Sequence, residues 1–277
     1  MVSKIAVVTD SIACLPPILS KKHNILIAPC YVIWDGVQYR DSIDLLSNEF
    51  YTRLRNSKTL PTTTSAIQGE FIKIYEALQG KVDGVVTITV TGGMGAAYVS
   101  AMAAKELVPW LPMEIIDSRT AYMSQGFAAI AASKVAKTGG SLKEVADAAQ
   151  NVANKSHTFY AIDTVEYLRK GGRVSLPQEV LGKWLKVKAL MIIKDGKLDP
   201  SQINGSMEDR LMEVMDQRVN KAGRLHVAVM HGDTNPEELK SRIASKYKPF
   251  ELITSEITPV IGTHTGPGTL GLCFYNE

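Results

Sequence analysis

Cysteine is scarce in this 277-residue chain. Its three residues, Cys14, Cys30 and Cys273, are too few and too irregularly spaced for a disulfide framework or a zinc site. Neither sign of charge is in excess: 31 Lys and Arg stand against 28 Asp and Glu, a formal charge of +3. That balance gives no reason to expect nucleic acid, for which a strongly basic domain or stripe would stand out. No apolar run reaches the roughly 18 residues that a membrane span needs. The opening Met1-Val2-Ser3-Lys4-Ile5 leads into a short apolar run that soon meets Asp10, unlike a secretory signal peptide. Also missing are G-x-x-x-x-G-K-[ST], G-x-S-x-G and H-E-x-x-H, so the chain advertises no nucleoside triphosphate site, hydrolase elbow or zinc pair of its own. What is present is ordinary globular composition, 45% hydrophobic and 21% charged. There is enough chain for one large domain or two of ordinary size. A cytoplasmic location is expected.

The first half alternates strand-like and helix-like segments. Ile5 to Val8 is a short strand ending in Thr9-Asp10-Ser11, and Ile25 to Trp34 is a longer extended run closed by the turn signal Asp35-Gly36. Helical spacing runs from Ile67 to Leu78. Val85 to Val90 is a buried-looking strand, followed by Thr91-Gly92-Gly93-Met94-Gly95 and an alanine-rich helix to about Leu107. Glu114 to Ile116 is another strand, ending in Asp117-Ser118. A helix from about Ser124 to Lys137 stops at Gly139-Gly140, and the capping box Ser141 to Glu144 opens the next one. Strands and helices in this alternation predict a parallel sheet covered on both faces. After about Asn154 the pattern changes to hairpins mixed with helices, including a hairpin over Lys188 to Lys197 with its turn at Asp195-Gly196. Asn235-Pro236 opens a helix, and extended runs from Phe250 to Ile257 and Leu270 to Tyr275 flank a glycine-rich loop. The expected fold is α/β with two domains. Residues 1–154 form an N-terminal parallel-sheet α/β/α domain, and residues 155–277 form a C-terminal α+β domain with a mixed sheet.

In an open α/β sheet, ligands settle beyond the carboxyl ends of the strands. Three loops of the first half qualify, and Thr91 to Gly95 is the most informative. Its glycines let backbone N–H groups approach a ligand closely, and the helix start that follows favours an anion. A plain tight βα turn is the competing reading. The Asp-Ser pairs are weaker signals, because both residues cap helices whatever the function. Gly266-Pro267-Gly268-Thr269-Leu270-Gly271 matches G-x-G-x-x-G, yet strand-like residues follow where a dinucleotide fingerprint must open a helix. Nicotinamide and flavin binding through this motif are therefore excluded.

Of the five histidines, His23, His157 and His226 read as structural or solvent-facing, whereas His231 at a strand end and His264 in a glycine-rich loop are better placed for function. Arg169-Lys170-Gly171-Gly172-Arg173 gathers three cations beside two glycines. A helix C-terminus with a glycine stop and a partner- or anion-binding edge both fit that run.

Several segments form a set in this order: Val8-Thr9-Asp10-Ser11 with Leu15-Pro16, Pro61-Thr62-Thr63-Thr64 ahead of Phe71, the glycine loop before Tyr98-Val99-Ser100-Ala101, and Ile116-Asp117-Ser118 before Ser124-Gln125-Gly126. The run Thr164 to Arg173 and the run Ile261 to Gly268 complete it. Together they resemble the DegV family of bacterial fatty-acid-binding proteins, and the resemblance spans the chain. It implies a two-domain α/β protein that holds one long-chain fatty acid in a buried tunnel near the domain interface, with no other cofactor and no metal. It further implies a carrier with no catalytic residues of its own. The carrier presents the carboxylate to a separate ATP-dependent fatty-acid kinase subunit for acyl-phosphate formation, with only transient membrane contact for lipid exchange. Position by position, the family's head-group threonine falls on Thr63, the serine of its Ser-Gly-Thr loop on Gly95, and its C-terminal histidine on His264. Arg169, Lys170 and Arg173 become the partner or phosphate edge.

Two departures stand out: the family's Thr-Ser-Gln-Pro-Ser reads Thr63-Thr64-Ser65-Ala66-Ile67, and its Ser-Gly-Thr reads Gly95-Ala96-Ala97. The second removes a hydroxyl donor, leaving the backbone N–H groups of Gly95 and Ala96 to meet an anion. On this reading Gly95→Ser should not weaken binding, and His264 should act best when protonated. Burying about 14 methylenes at about 0.8 kcal/mol each gives roughly 11 kcal/mol as an upper bound before the entropy of binding. An unpaired carboxylate would cancel much of that gain. The alternative reading is a phosphotransferase or hydrolase acting on a small anionic substrate in an interdomain cleft. A third is a protein with a regulatory ligand and no kinase partner.

Overall fold

The structure, a computed structural model, describes residues 4–173, 188–220 and 222–277. The chain divides into two compact units. The first comprises Met1–Tyr31, Thr64–Lys155 and Asp195–Lys197; the second comprises Val32–Thr63, Ser156–Lys194 and Leu198–Glu277.

The first unit is built on four parallel strands, β1 (Ile5–Asp10), β2 (Ile25–Ala28), β6 (Gly84–Thr89) and β7 (Met113–Asp117), in the order β2-β1-β6-β7. Every residue of β6 is buried, as its Val- and Ile-rich sequence demands of a strand covered on both faces. Helices α1 (Pro17–His23), α3 (Gln68–Ala77) and α4 (Ala97–Glu106) lie between successive strands of this sheet, and α5 (Tyr122–Lys137) and α6 (Leu142–Lys155) follow β7. Helix α5 is small and apolar nearly all round and is buried from Tyr122 to Ile130, packing on β1 and α6. The capping box forms as its sequence implies. Ser141 N–H donates to Glu144 Oε2 at 2.8 Å, and Glu144 N–H donates back to Ser141 Oγ at 3.3 Å. Because the strand order reverses between β2-β1 and β6-β7, the loops after β1 and β6 flank the switch point of this sheet.

The second unit carries a six-stranded mixed sheet in the order β10-β9-β8-β13-β11-β12. Its strands are β8 (His157–Ile162), β9 (Ala189–Lys194), β10 (Lys197–Gln202), β11 (Leu225–His231), β12 (Glu251–Glu256) and β13 (Leu270–Asn276). β11 and β12 pair in parallel, whereas β13 pairs antiparallel with β11 and with β8, and β8 antiparallel with β9. Phe159, Val227, Leu272 and Phe274 bury one face of the sheet with Leu211 and Met215 of α8 (Met207–Arg218) and Leu239 and Ile243 of α9 (Glu237–Tyr247). Two short helices, α7 (Glu166–Lys170) and α10 (Pro259–Thr265), pack together. A separate small sheet has the order β4-β3-β5, with β3 (Tyr31–Trp34), β4 (Val37–Arg40) and β5 (Thr62–Thr64). Helix α2 (Ser47–Asn56) precedes β5.

Three expectations change. The run Ile25 to Trp34 is two strands in different sheets, because Pro29 has no N–H for a ladder and Cys30 N–H donates to Ser11 Oγ at 3.1 Å instead. The units are not divided by a single boundary at 154/155, since Val32–Thr63 sits in the second unit. Asp41 Oδ1 there accepts Val260 N–H at 3.1 Å, Tyr51 donates its hydroxyl to the Ile257 carbonyl, and Arg55 pairs with Asp233. The third change concerns His264. It lies not in a loop but in the last turn of α10, a helix hidden by its β-branched Val260, Ile261 and Thr263.

Candidate functional site

In the first unit, the three loops beyond the strand ends are laced together by side-chain carboxylates. Asp10, fully buried at the end of β1, accepts Val90 N–H at 2.8 Å and Ile12 N–H at 3.0 Å. Burial nevertheless outweighs those bonds and raises its pKa to about 6. Asp117, at the end of β7, accepts Gly92 N–H at 3.1 Å and Arg119 N–H at 2.8 Å. Both Asp-Ser signals therefore belong to loop architecture. The paired glycines after β6 have a structural reason as well. A Cβ on Gly93 would stand 2.2 Å from the carbonyl oxygen of Gly196, whose own φ is +77° in the β9–β10 turn.

The amides expected to receive an anion already have acceptors. Gly95 N–H donates to the Thr91 carbonyl at 3.3 Å, and Ala96 N–H donates to Ser65 Oγ at 2.8 Å. Gly95 also has a specific neighbour: an added Cβ would lie 2.8 Å from Ser65 Oγ. Gly95→Ser therefore requires the Ser65 hydroxyl to shift, since that contact is shorter than real Cβ atoms show.

In the second unit, Thr63 Oγ1 and His264 Nε2 form a 2.8 Å hydrogen bond. The other ring nitrogen, Nδ1, is buried and has no hydrogen-bond partner among the described residues. Gly171, which ends α7, makes room for the ring, because a Cβ there would stand 2.1 Å from Nδ1. Burial, with the Arg173 cation adding to it, pushes the His264 pKa down to about 3. The imidazole is thus neutral at physiological pH, which corrects the expectation of a protonated His264. A cationic ring would bury a second N–H at Nδ1 with no acceptor for it among the described residues.

The cation run resolves into three different situations. Lys170 pairs with Glu166 one turn earlier on α7. Arg173 donates to the Gly171 carbonyl at 2.7 Å, and burial lowers its pKa. Arg169 is exposed. Gly172 has φ +68°, the left-handed stop that follows a helix end. His231 bonds the adjacent Gly232 carbonyl at 2.9 Å, and buried His226 lies between Glu251 and Glu277, so both are held by local structure. At the rejected G-x-G-x-x-G, a Cβ on Gly268 would overlap the Asp163 carboxylate, and the chain passes into β13 rather than a helix.

A family model described as "Uncharacterised protein, DegV family" matches residues 4–277. The chain belongs to the DegV family. Protein DegV of Bacillus subtilis is 30% identical over 276 residues, covering 98% of each chain. Among solved structures, DegV from Bacillus subtilis, described as a fatty acid binding protein, matches at 29% identity and TM-score 0.91, covering 99% of this chain and 100% of that one. A stearic-acid-binding protein from Eubacterium ventriosum matches at 25% identity and TM-score 0.85, covering 98% of each chain. Like these relatives, the chain has a mixed α/β fold.

Within this DegV-family fold, two participants at the nominated positions escaped the sequence. Gly171, a helix stop in the sequence, also accommodates His264 ninety-odd positions later. Ser65 gave only the hint of a fourth hydroxyl after Thr62-Thr63-Thr64, and its partner Ala96 is 31 positions away.

Proposed function

We propose that this chain binds one long-chain fatty acid and presents its carboxylate to a separate ATP-dependent kinase subunit in the cytoplasm, touching membranes only to exchange lipid. The fatty-acid-binding relatives at 29% and 25% identity support the ligand class. The observation that carries the reading is the Thr63–His264 pair. A neutral imidazole holding a threonine hydroxyl offers a carboxylate a donor without burying a second charge. On this reading Thr63, with His264 behind it, meets the carboxylate, and the Gly95 and Ala96 amides would join it only by giving up their bonds to Thr91 and Ser65.

The chain's role ends at presentation. In the kinase step a carboxylate oxygen attacks the γ-phosphorus of ATP, the bond to ADP breaks, and acyl phosphate and ADP leave. Assigning the nucleotide to the partner fits the missing G-x-x-x-x-G-K-[ST] motif. Arg169, Lys170 and Arg173 are the edge assigned to that partner or to the transferring phosphate.

The test is titration of delipidated protein with oleate and with methyl oleate, followed by incubation with labelled ATP. Oleate should bind at least about tenfold more tightly than the ester, as expected for a charge-assisted bond. No acyl phosphate should form without an added kinase subunit. Turnover by the isolated chain would instead support an enzyme acting on a small anionic substrate.

A further inference from the structure

We infer that the side-chain donor which the first unit offers the carboxylate is the Ser65 hydroxyl, and that Gly95 is glycine to make room for it. This rests on the fatty-acid-binding reading above and assigns it a residue that the sequence did not nominate.

Three observations combine. Ser65 Oγ accepts the Ala96 N–H at 2.8 Å, which fixes the oxygen beside the first residues of the ten-residue helix α4. No described group accepts the hydroxyl proton of Ser65, so the oxygen is engaged as an acceptor while its O–H remains available to donate. An accepted hydrogen bond polarises a hydroxyl and makes it a better donor. Finally, Ser65 Oγ lies 2.8 Å from the point where a Cβ on Gly95 would stand, whereas Ser65 Cβ is 3.9 Å from it. The hydroxyl therefore occupies the volume that a side chain at position 95 would enter, while the rest of Ser65 is at ordinary contact distance.

Positions 65 and 95 thus contend for one place. One hydroxyl fits there, delivered either by Ser65 after β5 or by residue 95 from the loop after β6, but two crowd each other. The location suits an anion: Ser65 is half-buried, Ala96 is exposed, and the positive end of α4 begins there. A carboxylate receiving this O–H gains a charge-assisted bond. An uncharged ester gains much less.

The test uses the full chain with oleate and methyl oleate, on wild type, Ser65→Ala, Gly95→Ser and the Ser65→Ala/Gly95→Ser double variant. Ser65→Ala should weaken oleate about ten- to a hundredfold and leave methyl oleate nearly unchanged. Gly95→Ser should bind oleate no better than wild type. The double variant should regain most of the loss, which also keeps the proposal testable if Ser65→Ala alone loosens the start of α4. Equal weakening of acid and ester would reduce Ser65 to a structural cap and overturn the proposal. So would a Ser65→Ala variant that binds oleate like wild type. If wild type itself fails to bind oleate, it is the fatty-acid reading that falls.

Discussion

Thr63 and His264, 201 positions apart in sequence, are joined by a 2.8 Å hydrogen bond whose far side is closed by the Gly171 backbone. Because Nδ1 has no acceptor in reach among the described residues and an orphaned buried N–H is rarer than an orphaned lone pair, the ring proton is assigned to Nε2. His264 then donates to Thr63 Oγ1, and the Thr63 O–H is left free for a ligand. This makes Thr63 the contact and His264 its positioning residue.

Thr63→Val keeps the shape and deletes that donor. One charge-assisted bond is worth about 1.5–3 kcal/mol, so oleate affinity should fall roughly ten- to a hundredfold. Displacement of a fluorescent fatty acid measures it, and wild-type affinity in the variant would remove Thr63 from the carboxylate.

Binding should be flat with pH between pH 6 and 8. His264 titrates near 3, far below this window, and so stays neutral throughout. A decline in affinity as pH rises through 6–7 would mean that the cationic ring binds the ligand after all.

Asp10 predicts a pH effect on stability of definite sign. Its folded pKa, about 6, lies above the ordinary aspartate value of 3.8, so the folded state holds the proton more tightly. Its contribution is fully present below the unfolded pKa and is lost as pH rises through the folded one. Between pH 7 and pH 5 wild type should gain about 1 kcal/mol that Asp10→Asn does not. Urea unfolding of both proteins at the two pH values checks this, and parallel changes would contradict it.

How far the sequence reveals the molecule follows from the range of the interactions. The β6 strand, the Ser141–Glu144 capping box and the Asp195-Gly196 turn rest on contacts a few residues long, and all three appear where their residues imply. The allocation of Val32–Thr63 to the second unit depends on Asp41 reaching Val260 and Tyr51 reaching Ile257, which no local pattern records. The same holds for the candidate site. Thr63 and His264 were nominated by resemblance, but the neutrality of the ring depends on burial and on Gly171, and the part played by Ser65 depends on what position 95 lacks.

Gly171 and Gly172 should respond differently to alanine. Gly171 has φ −79°, acceptable to any residue, yet its Cβ would drive into His264. Overpacking there should cost about 1–3 kcal/mol and weaken oleate binding. Gly172 faces open space at φ +68°, so its alanine variant should lose about 1 kcal/mol from backbone strain and keep its affinity. Thermal melts paired with binding titrations separate the two, and equal affinity loss would show that the contact with His264 is not what matters.

Arg169, exposed beside its engaged neighbours, is the clean probe of the partner edge. Arg169→Ala should retain oleate binding and lose acyl-phosphate formation when a kinase subunit and ATP are supplied. Loss of both would place the residue in the fold or the ligand site.

The most direct test of the central claim is mass spectrometry of the chain purified from cells, measured intact under native conditions and again after denaturation and extraction. One long-chain fatty acid per chain, released as the free acid, is the predicted result. A chain that carries no acyl species, or carries a small phosphorylated or carboxylated metabolite in stoichiometric amount, would contradict it.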